Sequence, residues 1–484
     1  MNMNRGLWIA AAILFFFGPT ADAAPAAELS STTAIQHNGR VKPFDSFARE
    51  VLWQVTGEFQ WKGQDPAATV RSMMNDPSAW KERLLLSVPF VPLREALGLD
   101  RKTDRISYAR LVSERKLMRM LPAIVEKQSR SEKLSMLDQE TMDLYGRFVA
   151  LSDLFEGHLT VIAPSSADCP ARWRLKLEVG YNRLAPFRIA RWIYLAAGLL
   201  LAFGVWSRPA FGRAGMGVFA GAFAIHAVGI LTRVVLAGRP PVANFYETML
   251  WLPFVAATLA LIFERVYRVG YFGLSAAFLA FIMLALADRL PLDPSLTPIV
   301  AVLRSNLWLT IHVLTIVASY GALSLAAVLA HLYGIFVLTG SRSGRLPMLD
   351  TFLYRCLQVG VVLLTAGIML GGVWANASWG RYWGWDPKET WALITLLWFL
   401  AVLHGRFAGW LKGVRVALAT LAGYFLLLMT YYGVSFYLVG LHSYAGGHAK
   451  PIPPLLIAYL AAELLFILGV ACRAWYTELR KDSS

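Results

Sequence analysis

A cluster of aromatic residues in one segment is the strongest sign of a functional surface in this sequence. Residues 374–391 read WANASWGRYWGWDPKETW. Tryptophans often mark the ends of spanning helices, which explains the first and last of them. Large rings offer a stacking surface to a flat apolar ligand, and the interleaved glycines let it approach the backbone. The segment therefore predicts either a ligand platform or a self-packed structural loop. The aromatics that interfacial anchoring leaves unexplained are Trp379, Tyr382, Trp383 and Trp385.

Four of the eight histidines lie where they could act as metal ligands. At about 1.5 Å per helical residue, His312 lies roughly 7 Å inside a predicted span, and His442 lies just outside another. Both are level with the aromatic segment. His226 and His404 lie deeper, roughly 16 and 20 Å from the same side. Because imidazole is a common metal ligand, the depths predict an outer pair and an inner pair. A histidine hydrogen-bonded between helices is the alternative for His226.

The other histidines are better explained without a ligand, as surface, turn or helix-packing residues. They are His37, His158, His331 and His448.

Charged residues in the aromatic segment suit supporting roles. Arg381 and Lys388 carry groups that pair well with carboxylates. Asp386 and Glu389 could hydrogen-bond a ligating imidazole. Asp386 could equally cap the following helix, and Lys388 could be an ordinary interface residue.

These residues need a membrane-spanning scaffold, and the composition predicts one. Of 484 residues, 57% are hydrophobic and only 16% are charged, whereas soluble domains carry about 25% charged residues. This excludes an entirely soluble or disordered chain. We predict an all-α polytopic membrane protein with about nine transmembrane helices. The apolar segments are 189–206, 215–236, 250–267, 271–288, 308–338, 353–374, 391–411, 416–439 and 455–473.

The N-terminal part has a different composition. Residues 1–24 combine Arg5, a short apolar core and a small-residue cleavage site, which predicts a signal peptide or, alternatively, an N-terminal anchor. Residues 25–187 are rich in charge, and their periodicity predicts a mainly helical extracytoplasmic domain. Residues 188–484 then form the transmembrane domain.

One stretch of that N-terminal domain is distinctive. From His37 it reads HNGRVKPFDSFARE. Asn-Gly predicts a turn, and Asp45 or Ser46 is expected to cap a surface helix that begins near Phe47.

Charge and cysteine content exclude several functions. The net charge is +15, but no basic polar face suggests nucleic-acid binding. Nine spans after an exported domain place the C-terminus in the cytoplasm, where the predicted loops hold more Lys and Arg. The three cysteines are far apart, so the chain has neither CxxC nor CxxCH.

The aromatic segment resembles the tryptophan-rich WWD signature of the haem-handling proteins of cytochrome c biogenesis. It is most similar to the CcsA or ResC type of the System II pathway. The resemblance covers roughly residues 215–475 and includes four further segments in the same order as in that family. These are GRPPVANFYE from Gly238, SNLWLTIHV from Ser305, WFLAVLHGR from Trp398 and GLHSY from Gly440.

The resemblance implies roles for individual residues. His312 and His442 would hold the iron of non-covalently bound haem b over the aromatic segment. His404 would be one ligand of a second haem within the membrane. His226 is our own depth-based choice as its partner, although in some relatives a companion protein could supply that histidine. Arg381 and Lys388 would pair with haem propionates, and no catalytic residue is assigned beyond the haem ligands.

The resemblance also implies an activity and partners. Haem would be delivered to the outer face of the bacterial cytoplasmic membrane and attached to the CxxCH motif of apocytochrome c. The chain would thus be part of a cytochrome c synthase. Expected partners are a CcsB/ResB-like membrane protein, apocytochrome c with reduced thiols, and thiol-reducing proteins of the pathway.

Three alternatives stay open at this point. One is a haem or small-molecule transporter without synthase activity, and another is a System I relative that loads a haem chaperone. The third is a b-type electron-transfer cytochrome.

Overall fold

The computed structural model describes residues 29–130, 132, 134–157, 169–290, 292–296, 307–340, 343–442 and 452–482. Internal contacts divide the chain into two compact units. One comprises Met1–Arg183 with Ser295–Pro298, and the other comprises Leu184–Pro294 with Ile299–Ser484. The predicted signal peptide, His158 and His448 lie outside the described residues.

The N-terminal unit is mainly helical, as predicted, and contains two short antiparallel hairpins. β1 (Ala34–His37) pairs with β2 (Arg40–Pro43), and β3 (Leu86–Ser87) pairs with β4 (Arg105–Ile106). The turn between β1 and β2 is the predicted Asn-Gly pair, with positive φ at both residues, the geometry that two-residue hairpin loops favour. The helices are α1 (Phe44–Thr56), α2 (Pro66–Asn75), α3 (Ser78–Lys81), α4 (Val91–Leu97), α5 (Tyr108–Glu114), α6 (Lys116–Ser129), α7 (Met136–Phe155) and α8 (Arg172–Leu184).

Residues 42–48 of the distinctive stretch are buried, so the prediction of a capped surface helix is wrong. α1 begins at Phe44, before the expected start, and its N-terminus has no side-chain cap. Asp45 and Ser46 lie inside the first turn and are 0% and 7% exposed. The Ser46 hydroxyl donates to Glu178 on α8 at 2.6 Å. The polar residues of the stretch therefore hold α1 against α8 rather than facing water.

The second unit consists mostly of long helices. A 3₁₀ turn, Ser343–Arg345, precedes α14, and a π-helical turn, Met429–Gly433, joins α16 to α17. Local sequence explains several helix ends, because proline suits the first turn and glycine suits the left-handed residue after the last. The helices are α9 (Pro186–Trp206), α10 (Pro209–Ala237), α11 (Phe245–Tyr267), α12 (Tyr271–Arg289), α13 (Leu307–Thr339), α14 (Leu346–Trp379), α15 (Pro387–Phe407), α16 (Val414–Leu428), α17 (Val434–Tyr437) and α18 (Pro454–Asp482).

Among the described residues, nine helices are long and apolar enough to cross a membrane. This confirms the all-α polytopic architecture. Many large apolar side chains on these helices are exposed, including Leu231 (63%), Val362 (68%) and Leu465 (69%). Such exposure would be costly in water but suits a surface that faces lipid.

α13 is the central helix of this unit. It packs against α11, α12, α14, α16 and α18, and 72% of its most apolar stretch is buried. Glycines on α14 allow the closest of these contacts. A Cβ added at Gly360 would lie 2.5 Å from Leu323, and one at Gly367 would lie 2.7 Å from Ile316. Small residues let helices approach closely in a membrane, where packing drives their association.

We expect Gly360→Val to lower the free energy of unfolding by about 1–3 kcal/mol, because the added carbons would overlap Leu323 in a close-packed contact. The measurement is thermal unfolding of the purified chain in detergent. Gly221→Val on α10 is the control, since a Cβ at Gly221 meets nothing within 4 Å. Equal losses in the two variants would show that close helix contact is not the cause.

Candidate functional site

The irregular part of the aromatic segment is shorter than residues 374–391. α14 continues through Trp379, and α15 begins directly after its N-cap residue Asp386, so only residues 380–386 lie between helices. Gly380 ends α14 in the left-handed conformation, with φ of +72°. The tryptophans at both ends of the segment thus belong to helices. We refer to residues 380–386 as the tryptophan loop.

His312, near the start of α13, presents one unprotonated ring nitrogen. Its Nδ1 lies 2.7 Å from the carbonyl oxygen of Gly367 on α14. A carbonyl oxygen can only accept, so Nδ1 carries the proton and Nε2 keeps its lone pair. The imidazole of His312 can lie this close to α14 only because residue 371 is glycine. A Cβ at Gly371 would lie 2.7 Å from the ring.

His442, which follows α17, is held in the same tautomer by a carboxylate. Its Nδ1 donates to Asp386 Oδ2 at 2.8 Å, and the neighbouring Leu441 N–H donates to Asp386 Oδ1 at 2.6 Å. Gly440 permits this contact, because an added Cβ there would lie 2.5 Å from the same oxygen. The side chain of His442 is 25% exposed. In the neutral ring, Nε2 then carries the lone pair.

Trp374 brings the two histidines into one site. Its ring lies parallel to His312 with centroids 6.3 Å apart, and its centroid is 6.2 Å from that of His442. Trp379 packs edge-on against both Trp374, at 4.6 Å, and His442, at 5.8 Å. The structure thus brings together His312, His442 and two tryptophans from the last turns of α14.

Asp386 links the site to the start of α15. Its carboxylate accepts from the Lys388 N–H at 3.1 Å, and its own N–H donates to Glu389, forming a capping box. Burial alone would raise the pKa of Asp386. The hydrogen bonds from His442 and Leu441 instead hold that pKa below its ordinary value. Asp386 therefore fulfils both roles that the sequence left open, as helix cap and as partner of an imidazole.

The remaining aromatic residues of the tryptophan loop form an exposed surface. Tyr382 is 64% exposed and Trp385 is 70% exposed, and Trp385 packs edge-on against Trp383 at 5.7 Å. Trp385 adopts a left-handed backbone, with φ of +56°, which is uncommon for a bulky residue. The guanidinium of Arg381 lies directly against Gly384, in the space that a Cβ would occupy.

The ammonium group of Lys388, a predicted propionate partner, is bonded to protein groups in this structure. It donates to the Tyr431 carbonyl oxygen at 3.2 Å and to the Ser435 hydroxyl at 3.1 Å. Tyr431 belongs to the π-helical turn. Lys388 therefore fastens α15 to the segment that leads to His442.

The structure does not bring together His226 and His404, the predicted inner pair. His226 is 0% exposed, with Nε2 donating to the Leu250 carbonyl oxygen at 3.1 Å and Nδ1 accepting from Tyr194 at 3.4 Å. Both of its ring nitrogens are thus engaged. His404 is exposed, and its Nδ1 donates to Leu400 of its own helix at 2.7 Å.

The predicted depth of His404 also changes. Because α15 begins at its proline rather than at residue 391, His404 lies about 26 Å from the loop end of the helix instead of about 20 Å. His226 stays about 16 Å from that end. His226 is enclosed between Tyr194 and Leu250, whereas His404 is exposed.

The stretch that begins at Gly238 supports the same end of the bundle. Asn244 caps α11 by accepting from the Glu247 N–H at 2.8 Å. Glu247 is fully buried and pairs with Arg233 at 3.0 Å and with Arg239 at 2.6 Å. This stretch thus combines helix capping with a buried ion-pair network that orders the connection.

Sequence reasoning missed the central position of Trp374 and the contribution of the α14 glycines. Trp374 is only 4% exposed, although its position at a helix end suggested an ordinary interfacial anchor. The detectable signal was the spacing of Gly367 and Gly371, four residues apart on the face that meets His312.

We expect Asp386→Asn to lower the free energy of unfolding by about 1 kcal/mol at neutral pH, because neutral hydrogen bonds are weaker than charged ones. Asparagine can still cap the helix. The pKa of Asp386 is lowered on folding, so its stabilisation is present above the unfolded-state pKa, near 3.9, and is lost as pH falls through the folded-state pKa.

Unfolding in detergent across that acidic range measures this dependence. Asp143→Asn is the control, because Asp143 is exposed. A difference between native protein and Asp386→Asn that is constant at all pH values would contradict the assignment.

Comparison with known proteins shows the family. The model of the family described as cytochrome C assembly protein matches residues 242–442, which contain both His312 and His442. The chain is 35% identical to the cytochrome c biogenesis protein CcsA of Prochlorococcus marinus (strain MIT 9515), over 45% of this chain and 79% of that protein. It is 32% identical to CcsA of Synechococcus sp. (strain CC9605), over 55% of this chain and 98% of that protein.

A longer match extends beyond the region shared with CcsA. The chain is 31% identical to protein NrfI of Wolinella succinogenes over 85% of its own length. It spans only 54% of NrfI, so about half of that relative has no counterpart here. On these similarities and the nine candidate spans, the chain belongs to the CcsA-type family of multi-pass membrane proteins of cytochrome c biogenesis.

Proposed function

We propose that the chain holds haem b non-covalently at the tryptophan loop and presents it for attachment to apocytochrome c. The observation that carries this proposal is the pair of His312 and His442. Each donates Nδ1–H to a fixed oxygen, so that the neutral ring carries its lone pair on Nε2, and both contact Trp374. Two such nitrogens suit axial ligation of haem iron.

The surroundings of the pair fit a flat, amphipathic substrate. The indole Nε1 atoms of Trp374 and Trp383 are buried and have no hydrogen-bond partner among the described residues. Buried donors normally find partners, so the site retains hydrogen-bonding capacity for carboxylates or water. Tyr382 and Trp385 add exposed aromatic area beside it.

The carboxylate of Asp386 would strengthen iron binding through His442. A carboxylate that accepts from Nδ1–H fixes the orientation of the ring and raises the basicity of the ligating nitrogen. His312 has a neutral carbonyl in the same position. We infer that His442 is the stronger ligand and that His312 is the one displaced when the histidine of CxxCH arrives.

The attachment step adds each cysteine thiol of CxxCH across a haem vinyl group. The sulfur bonds to the vinyl carbon next to the ring and the thiol hydrogen goes to the terminal carbon, so no atom is lost and no external oxidant is consumed. The chain would contribute orientation of the vinyl edge and protection of the iron. Reduced thiols are required, which implies thiol-reducing partners.

His404 is proposed as a ligand of a second, membrane-embedded haem, with its second ligand supplied by a CcsB/ResB-like partner. Its Nδ1–H is bonded within its own helix and its side chain is exposed, so its Nε2 can face another chain. His226 is given a structural role instead. The proposal places the complex in the bacterial cytoplasmic membrane, with the tryptophan loop and the N-terminal unit on the extracytoplasmic side.

We expect His312→Ala and His442→Ala each to lose most of the haem that co-purifies with the native chain. Loss of a supporting residue of a metal ligand typically costs 10–100-fold in affinity, and loss of the ligand itself should cost at least as much. The measurement is the reduced α-band in detergent, with haem quantified by pyridine extraction. Added imidazole should restore the band.

His331→Ala is the matched control, because both nitrogens of His331 are bonded elsewhere. Native protein that carries no haem when haem is abundant would contradict the proposal. Synthase activity is tested by co-expression with a ResB-like protein and an apocytochrome, followed by acid–acetone extraction. Haem binding without covalent product would favour the transporter alternative.

His226→Ala and His404→Ala should have opposite effects. His226→Ala should lower the free energy of unfolding by about 2 kcal/mol or more, because it opens a cavity and removes the hydrogen bonds to Leu250 and Tyr194. It should leave the haem spectrum unchanged. His404→Ala should leave stability unchanged and should reduce bound haem only in the complex with the ResB-like partner. Equal haem loss in both variants of the isolated chain would instead support His226 and His404 as a pair of haem ligands.

A further inference from the structure

Four carboxylic side chains are buried in the described part of the membrane unit, and three of them are surrounded by donors. Glu247 pairs with two arginines. Glu264 accepts from four backbone N–H groups at the start of α12. Asp386 accepts from His442 and from two backbone N–H groups. These partners stabilise the ionised form of each carboxyl group.

Glu463 on α18 is the exception. It is 6% exposed, and its Oε2 lies 2.9 Å from His331 Nε2 on α13. Its Oε1 is buried and has no hydrogen-bond partner among the described residues. An ionised carboxylate with a single neutral partner is expensive within a membrane.

The geometry of His331 fixes the number of protons in this pair. Its Nδ1 lies 2.7 Å from the Ala327 carbonyl oxygen, which can only accept, so Nδ1 carries a proton. Nε2 and Glu463 Oε2 are then two acceptors at 2.9 Å, unless a second proton lies between them. An imidazole and a carboxylate with these two protons are neutral overall.

Two tyrosines are the polar neighbours of the pair among the described residues. Tyr424 on α16 and Tyr459 on α18 interact electrostatically with Glu463. Tyr459 is 39% exposed and lies one helical turn before Glu463. Arg473, the nearest cationic residue along α18, is about 15 Å away. Because an ion pair within this apolar setting would require two charges out of water, the neutral acid is favoured.

We propose that Glu463 and His331 form an intramembrane proton-binding site, with one exchangeable proton held on Glu463 Oε2 and donated to His331 Nε2. The site is independent of the proposed haem site, since His331 lies about 28 Å from His312 along α13. It also joins α18 to the central helix. Phe466 stacks on the imidazole at 5.3 Å and shields it on one side.

Infrared spectroscopy of the full chain in lipid tests this proposal. A protonated carboxyl group absorbs apart from the ionised carboxylates and the amide bands. We expect such absorption in the native protein at neutral pH, a shift in D₂O because the proton exchanges, and loss of about one carboxyl equivalent per chain in Glu463→Gln. Glutamine keeps a donor toward His331, so this variant should fold.

Glu264→Gln is the matched control, because it removes a carboxyl group that is equally buried but held by backbone N–H groups. It should leave the acid absorption unchanged. His331→Gln should keep the acid but shift its absorption, because the acceptor changes. Native and Glu463→Gln spectra that are identical in this region, or an acid band that does not shift in D₂O, would overturn the proposal.

Discussion

The candidate site depends on the hydrogen bonds that the carboxylate of Asp386 accepts. This carboxylate caps α15, accepts the N–H of Leu441 and fixes the Nδ1–H of His442. A charge that is only 6% exposed would be costly without partners, but these donors replace the lost water. The start of α15 and the segment after α17 are therefore held together by one group. The tryptophan loop connects α14 to Asp386. Its outer rings, Tyr382 and Trp385, are exposed, while His442 is held in one orientation.

Close packing of α13 on α14 supplies the other half of the site. His312 reaches Gly367 only because the two helices meet along glycines, with no side chain between them. In lipid there is little hydrophobic drive for helix association, so such contacts depend on small residues and complementary shape. The same helix packing positions Trp374, which contacts both histidines from the last turns of α14. One histidine is thus positioned by helix packing and the other by a charge.

The spans were predictable because a lipid-facing helix needs about 20 apolar residues whatever it packs against. The outer histidines and the two roles of Asp386 could also be recognised from residue type and spacing. The inner pair could not be, because sequence position gives height along a helix but not the face that a side chain occupies. His226 turns inward to Tyr194 and Leu250, whereas His404 turns outward. The contact of Lys388 with Tyr431 was not predictable for the same reason, since Tyr431 lies on another helical segment.

The contrast between the two inner histidines bears on how a complete haem pathway would be assembled. A buried imidazole with both nitrogens bonded needs nothing further, and substituting it removes packing. An exposed imidazole on a spanning helix, with Nδ1 satisfied by its own backbone, leaves one polar nitrogen toward lipid. Leaving this nitrogen without a hydrogen-bond partner costs free energy unless another group contacts it. Under our proposal the outer site is complete within this chain, while the inner site becomes complete only when a second membrane protein supplies the facing ligand.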